Sequence, residues 1–366
     1  MTLPENHKRV EEAIAAFKRG EVIVVADDDD RENEGDLFVA ASACTPEKMA
    51  FIIRHTSGIV CAPVSADEAR RLHLDPMVAA NEAPLGTAFT VSVDYRHGLT
   101  TGISAEERTN TVRALANGNS GADDFVRPGH VFPLVAKQGG VLMRSGHTEA
   151  CVDLCRLAGL PNVGVLSELM NDDGTVMRGP QLAAFAEKHK LKSLTIADLI
   201  SYRQSRDKLV ERIAEFTVPS DIGELRAFAY VTPFDQVRHM AFILGDIGNG
   251  KSVLTRLHRG HMIGDVLGGA KVLRRAMARI KQEGNGVIVY LQDGAAGVPA
   301  TAIPTKPQDT SEGARTKQWR EVGLGAQILK DIGVSSIRLL VSANTTYIGV
   351  TGFGIEIEST EHIPRE

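Results

Sequence analysis

The chain has 366 residues, about two to two and a half domains at roughly 150 residues each. Lys and Arg number 41 against 46 Asp and Glu, a net charge of −5, and this mild acidity argues against a general nucleic-acid binder, which needs a basic field. No apolar run approaches the roughly 18 residues of a membrane span, and the N-terminus (MTLPENHKRVEEAIAAFKRGE) is charged, without the apolar core of a signal peptide.

Residues 5–19 carry helical periodicity, with Val10, Ala13, Ile14 and Phe17 on one face. Glu21 to Ala26 reads as a buried strand, and Asp36 to Ala41 as a second strand beyond an acidic loop. Pro46 to His55 is helical, while Gly58 to Pro63 and Phe89 to Val93 are strand-like. Ser104, followed by Glu106 and Glu107, opens a helix to 117. Ser120 to Asp124 is polar loop. Arg127-Pro-Gly-His130 reads as a rigid turn, Thr148 to Leu157 as a helix and Val163 to Leu169 as a strand. This alternation predicts an α/β architecture with a mixed sheet. The charged stretch 201–212 sets a domain boundary near 205, giving domains 1–205 and 206–366. Beyond it, Phe216 to Thr217, Leu225 to Val231 and Val237 to Leu244 read as antiparallel strands joined by hairpin turns. Gly264 to Ile280 is helical, Gly286 to Gln292 a strand, Gly323 to Ile332 a helix and Ile337 to Ser342 a strand.

The four cysteines, Cys44, Cys61, Cys151 and Cys155, make no disulfide framework, and a reducing cytoplasm is the expectation. Cys61 can line a pocket, a buried structural thiol being the plainer reading. Cys151 and Cys155, four apart on a helix, read as core.

Residues 27–36 (DDDDRENEGD) hold seven carboxylates. A solvated charged loop is the ordinary reading of such a run. Here the run follows directly on a buried strand, at the edge where open α/β sheets place their sites, and it contains Arg31, an anion donor. Clustered carboxylates suit a hard cation, Mg²⁺ or Mn²⁺. In Arg144-Ser145-Gly146-His147-Thr148-Glu149 a helix follows the glycine. Its N-terminal N–H groups can hold a phosphate, with Arg144 adding a bidentate contact. The segment from His97 to Ala105, with Thr100, places hydroxyls and glycines at a strand-to-helix turn. His130 sits in the Pro-Gly turn, and Glu168 ends a strand.

The motifs RENEGD (31–36), APLGTAFTVSVD (83–94), TTGISAEER (100–108), RPGHVFPL (127–134) and RSGHTEACVDLCRLAGL (144–160) resemble those of 3,4-dihydroxy-2-butanone 4-phosphate synthases, in the family's order and over about residues 5–205. The resemblance implies an α/β sandwich and a homodimer with sites at the subunit interface. It implies conversion of ribulose 5-phosphate to 3,4-dihydroxy-2-butanone 4-phosphate and formate, with two Mg²⁺ or Mn²⁺ ions per site. Glu32 and His147 match its metal ligands. Its substrate contacts map onto Arg31, Glu32, Asp36, Thr100, Arg144, Ser145, Gly146, His147, Thr148 and Glu168. His130 matches an essential histidine, and Glu34 and Asp36, with Glu168, are the candidates for moving protons.

Two features of the second half invite misreading. Gly245 to Ser252 fits the P-loop pattern G-x-x-x-x-G-K-S, and Asp293 ends an apolar strand. A P-loop must open a helix directly after Lys-Ser, whereas Val253 to His258 alternates like a strand, so a β-hairpin is expected here. Residues 206–366 resemble GTP cyclohydrolase II in VLTRLHRGHMIGDVLGG (253–269), IKQEGNGVIVYL (280–291) and GVTGFGIEI (349–357). That family's three zinc cysteines correspond to His261, Val272 and Arg274, and the last two are no ligands for zinc. Its catalytic acid and tyrosine correspond to Gln318 and Val322, with Arg320 kept, and its loop arginine falls within Gly294 to Gly297. The expectation is a second domain without zinc and without cyclohydrolase activity. The alternatives are a bifunctional enzyme with an atypical ligand set, such as His258 and His261 with Asp265, or a module that binds a nucleotide, flavin or protein.

Overall fold

The computed structural model describes residues 4–27, 32–233, 235–260, 263–267, 269–292, 323–342 and 355–364. Arg31, His261, Asp293, Gly294 to Gly297 and Gln318 to Val322, singled out above, lie outside them. The chain divides into two compact units, the first ending at Tyr202 and the second starting at Arg203. No helix among the described residues is long and apolar enough to cross a membrane.

The first unit is a seven-stranded mixed sheet. Its strands are β1 (Ile23–Ala26), β2 (Gly35–Ala40), β3 (Cys61–Val64), β4 (Val93–Tyr95), β5 (Phe125–Val135), β6 (Gly164–Glu168) and β7 (Lys192–Thr195), in the order β4-β5-β3-β6-β2-β1-β7. The helices are α1 (Glu5–Lys18), α2 (Pro46–His55), α3 (Ala66–Arg71), α4 (Ala105–Leu115), α5 (His147–Ala158), α6 (Pro180–His189) and α7 (Ile196–Arg206), whose residues from Arg203 on belong to the second unit. Successive side chains of β2 point to opposite faces. Leu37 and Val39 join a fully buried cluster with Met49 and Ile52 of α2 and Val112 of α4, each buried side chain contributing about 1.5–3 kcal/mol. Phe38 meets His147 of α5 edge-on, ring centroids 6.1 Å apart. Cys44, Cys61, Cys151 and Cys155 are free thiols, all buried.

The segment Arg127-Pro-Gly-His130 differs from the expected turn. It lies inside the eleven-residue strand β5, and β4 pairs with β5 through an irregular register. There the Gly129 amide donates to Ser92 Oγ at 3.1 Å, so proline and glycine are accommodated where the ladder is already broken. The expected strand at Phe89 to Val93 is displaced to Val93–Tyr95, with isolated bridges at Phe89 and Thr90 before it.

The second unit holds β8 (Glu211–Ser220), β9 (Gly223–Thr232), β10 (Asp235–Leu244), β11 (Val253–Gly260), helix α8 (Lys271–Glu283), β12 (Gly286–Gln292), β13 (Ser336–Val341) and β14 (Glu356–His362). Its sheet order is β14-β13-β11-β12-β10-β9-β8, and residues 323–331 are helical. β8, β9 and β10 form the expected antiparallel hairpins. β10 and β11 do not: β12 lies between them, antiparallel to β10 and parallel to β11. A strand does follow Lys251-Ser252, but the connection is a crossover turn. Its amides are engaged within the chain, Gly248 N with Asp246 Oδ1 at 2.8 Å, Lys251 N with Asn249 Oδ1 at 3.2 Å, Gly250 N with Ile247 O at 3.1 Å and Ser252 N with Ser336 Oγ at 2.8 Å.

Candidate active site

Strand β1 runs into the acidic loop and β2 returns from it, the pair closing at Ala26 opposite Gly35. The Asp27 amide donates to Glu34 O at 2.9 Å, and the Glu32 amide to Asp27 Oδ2 at 3.1 Å. These bonds tie Glu32 and Glu34 to Asp27, the residue just past β1. Asp36, next on β2, sits directly across from Glu168, the last residue of β6. His147 is the first residue of α5, after Gly146 in extended conformation with no side-chain cap.

His147 lies between two carboxylates. Its Nδ1 is 3.3 Å from Glu32 Oε2 and its Nε2 is 3.9 Å from Asp36 Oδ1. Both His147 and Asp36 are buried, and Asp36 Oδ1 and His147 Nε2 have no hydrogen-bond partner among the described residues. Burial pushes the Asp36 carboxyl up to about 8, His147 opposing it and the carboxylates of Glu168, Glu34 and Glu32 adding to it. Burial pulls His147 down, but Asp36 and Glu32 outweigh it and hold the imidazole above its ordinary value. Glu34 is raised too, by burial and then by Glu32. Cys61 is pushed up by burial first and then by Glu168 and Asp36, which makes it an inert thiol beside the cluster rather than a nucleophile.

Two orphaned buried polar atoms facing one another at 3.9 Å fit a bound cation, since buried polar groups ordinarily find a partner. No group of three or more His, Cys, Asp and Glu side chains among the described residues forms a metal cage. Mg²⁺ takes one or two carboxylates from a protein and fills its remaining positions with water and substrate oxygens; Glu32, 3.3 Å from the imidazole of His147, is such a carboxylate.

Arg144 is tied into the structure: Nη1 donates to Glu149 Oε2 at 2.7 Å, Nη2 to Leu85 O at 3.2 Å and to Thr87 Oγ1 at 3.3 Å. Glu149 is buried and also accepts from the Lys137 amide at 2.9 Å. Ser145, Gly146 and Thr148 lead into and open α5 beside His147.

A second cluster stands apart. His130 Nδ1 is 2.7 Å from Asp94 Oδ2, and its amide donates to Asp94 Oδ1 at 2.9 Å. Asp94 is buried. The turn before α4 packs against this pair at Gly102, and in the same turn the Thr100 amide and hydroxyl both donate to Glu107 Oε1 at 2.7 Å. Counted across the sheet, β2 to β6 to β3 to β5, His130 lies three strands from Asp36, about 14 Å at the usual spacing. Within one chain, then, Glu32, Glu34, Asp36, His147 and Glu168 come together, while His130 and Thr100 do not join them. Asp94 escapes a reading of the sequence, although an acid closing an apolar alternation signals a buried charge in need of a partner.

In the second unit His258 Nε2 lies 3.0 Å from Asp265 Oδ1, and Tyr290 donates to Asp265 Oδ2 at 2.8 Å. Burial pulls His258 below its ordinary value, against the pull of Asp265. Val272 and Arg274 sit on α8.

A mixed sheet with acids and a histidine gathered at one end, followed by a second α/β sheet, defines a two-domain α/β enzyme, and the chain's likenesses make the class specific. Residues 11–202 match the family described as 3,4-dihydroxy-2-butanone 4-phosphate synthase, and residues 211–364 match GTP cyclohydrolase II. The bifunctional riboflavin biosynthesis protein RIBA 1, chloroplastic, of Arabidopsis thaliana is 45% identical over 367 residues, covering 95% of this chain and 67% of that one. The crystal structure of RibBX, a two-domain 3,4-dihydroxy-2-butanone 4-phosphate synthase from A. baumannii, matches 96% of this chain and 99% of its own with a TM-score of 0.79 and 35% identity. A 3,4-dihydroxy-2-butanone 4-phosphate synthase solved with two magnesium ions matches 54% of this chain and 97% of its own, with a TM-score of 0.53 and 46% identity. The chain belongs to the 3,4-dihydroxy-2-butanone 4-phosphate synthase family of riboflavin biosynthesis and carries a GTP cyclohydrolase II domain behind the synthase domain.

Proposed function

We propose that residues 1–205 convert D-ribulose 5-phosphate to L-3,4-dihydroxy-2-butanone 4-phosphate and formate in a Mg²⁺- or Mn²⁺-dependent lyase reaction, two ions per site. The observation that carries this is His147, buried between Glu32 and Asp36 with its Nε2 unpartnered. The products sum to the substrate atom for atom, so the site needs no co-substrate. Glu32 and His147 would hold a cation, which supplies Lewis-acid polarisation of the substrate's carbonyl and hydroxyl oxygens. Ligation requires a neutral imidazole and an ionised carboxylate, so cation affinity rises with pH. Glu34 and Asp36 take and return protons, because a carboxyl raised toward neutral pH serves as base and as acid; Glu168 faces them from β6. The first turn of α5, without a side-chain cap at Gly146, offers its N–H groups to the substrate phosphate, beside Arg144, Ser145 and Thr148; Arg31 is a further substrate contact that the family resemblance implies.

His130, about 14 Å from Asp36 within one chain, serves the site of a second copy, in a homodimer whose sites are completed across the interface. Glu32→Gln and His147→Ala should each abolish formate release with the fold intact, and EDTA should do so reversibly, Mg²⁺ or Mn²⁺ restoring turnover. Activity within about tenfold of wild type in both variants, only about 1.4 kcal/mol on the barrier, would overturn the assignment.

The second domain is read as non-catalytic and zinc-free. There is no cysteine after Cys155, and the positions of two zinc cysteines hold Val272 and Arg274. The name of RibBX, a two-domain synthase, supports this reading; the bifunctional name of the Arabidopsis relative is the contrary case. Formate production from GTP, together with near one zinc per chain, would restore a bifunctional enzyme.

A further inference from the structure

We propose that Ser57, in the connection between α2 and β3, is a positioning residue that orients the Glu168 carboxylate for the lyase reaction. This rests on the reading of Glu168 as part of the proposed site. Ser57 Oγ donates to Glu168 Oε2 at 2.7 Å, and the Ser57 amide donates to Glu168 O at 2.8 Å. A serine hydroxyl has one proton and two lone pairs, and here the neighbours decide where the proton goes. The Ile59 amide donates to Ser57 Oγ at 3.2 Å, so Oγ accepts there. Ser167 Oγ, 3.3 Å away, spends its own proton on Ile59 O at 3.0 Å and can only accept from Ser57. Of the two acceptors left, the Glu168 carboxylate is the closer and the charged one, and it wins.

The loop that carries Ser57 is anchored from both sides. Thr56 Oγ1 donates to Ile52 O at 2.7 Å and accepts from the Gly58 amide at 3.2 Å. Arg108, a buried guanidinium on α4, donates to Gly58 O at 2.9 Å. Burying an arginine is costly; the attraction of Asp94 offsets part of that cost, and the guanidinium holds a loop that presents an exposed serine hydroxyl. Its acceptor, Glu168, ends β6 directly opposite Asp36. Without the serine, the carboxylate of a strand-terminal residue is free to rotate away from the acids it faces.

The test is steady-state formate release from ribulose 5-phosphate by the full-length chain at saturating Mg²⁺. Ser57→Ala should lower kcat about tenfold, the weaker end for a hydrogen bond to a charged group, with KM changed by less than about threefold. Ser57→Thr, which keeps Oγ, should return kcat to within about threefold of wild type. Ser167→Ala loosens the same loop without touching the carboxylate, and should stay within about threefold of wild type. The inference is overturned if Ser57→Ala turns over within twofold of wild type, if threonine does not rescue, or if Ser167→Ala is as damaging as Ser57→Ala. Glu168→Gln separates the two readings. A wild-type rate for it removes Glu168 from the site altogether, whereas its inactivity beside a fully active Ser57→Ala refutes the role of Ser57 alone.

Discussion

Replacing Gly102 by alanine should disable the His130 cluster from the opposite side of a turn. Gly102 has φ +86°, and a Cβ built on it would collide with Asp94 Oδ2 and lie 2.6 Å from His130 Nδ1. Gly98, in the same β4–α4 connection, has φ +75° and nothing within 4 Å of the added carbon. Both alanines incur the left-handed penalty, about 1–2 kcal/mol. Gly102→Ala must also part His130 from the buried Asp94 carboxylate, and a hydrogen bond to a charged group is worth about 1.5–3 kcal/mol. The two variants should therefore differ in stability by about 1.5–3 kcal/mol, or about 3–12 °C in melting temperature for a unit of roughly 200 residues. In formate release, Gly98→Ala should stay within about threefold of wild type and Gly102→Ala should fall about ten- to a hundredfold. Thermal unfolding and steady-state kinetics on the pair measure both. Equal melting temperatures and equal rates for the two variants would refute the account of what Gly102 leaves room for.

If His130 works in the partner's site, mixing Glu32→Gln with His130→Ala, each inactive alone, should recover about a quarter of wild-type activity: half of randomly exchanged dimers are hybrids, each with one intact site. No recovery after demonstrated subunit exchange would place His130 elsewhere. In the second unit, burial pulls His239 down to about 4, so the unfolded chain binds a proton that the folded unit refuses. The stability tied to this residue is present above pH 6.5 and is lost as pH falls toward 4, by about 3 kcal/mol in all. His239→Gln, which keeps an acceptor for the Gln292 amide, should flatten denaturant midpoints between pH 7 and 4.5, and an unchanged pH slope would contradict this. Glu149→Gln keeps an acceptor oxygen for the Lys137 amide but loses the one that holds Arg144, and should raise KM about tenfold with a smaller change in kcat; a drop in kcat alone would tie Glu149 to the chemistry instead.

Most elements of the first unit were legible in hydrophobic period and caps. Ser104 is a clear case: its hydroxyl accepts from the Glu107 amide at 3.1 Å and donates back to the Glu107 carboxylate at 2.9 Å. Failures came where tertiary pairing overrides local chemistry. Pro128 and Gly129 argue for a turn, yet β5 runs through them because the irregular partner β4 makes no ladder demand there. The pattern after Lys251-Ser252 rightly signals a strand, but adjacency in sequence suggests a hairpin, and only the later β12 claims the place beside β10. A short helix such as α3, six residues long, carries too few turns for a period to register. At the site, the acids and His147 are prominent in their motifs. Ser57 and Asp94 are ordinary letters whose importance depends on strand register, which sets Glu168 against Asp36 and His130 three strands away.

The turn between β10 and β11 has a bearing on how relatives of this chain should vary. Its polar side chains at Asp246 and Asn249 each close a two-residue loop on a backbone amide, a task that Asp, Asn and Ser share. Gly250 has no such latitude: a side chain there would strike Gly333 O, and its own carbonyl accepts from the amides of Ser335 and Ser336. Gly245, at φ +63°, is held likewise, since a Cβ there would lie 2.5 Å from Gly284 O; drift in related sequences should therefore erode the resemblance to a nucleotide-binding pattern letter by letter and leave its two glycines standing. With the amides of Gly248, Gly250, Lys251 and Ser252 already engaged within the chain, the pattern's survival in any one relative carries no information about phosphate.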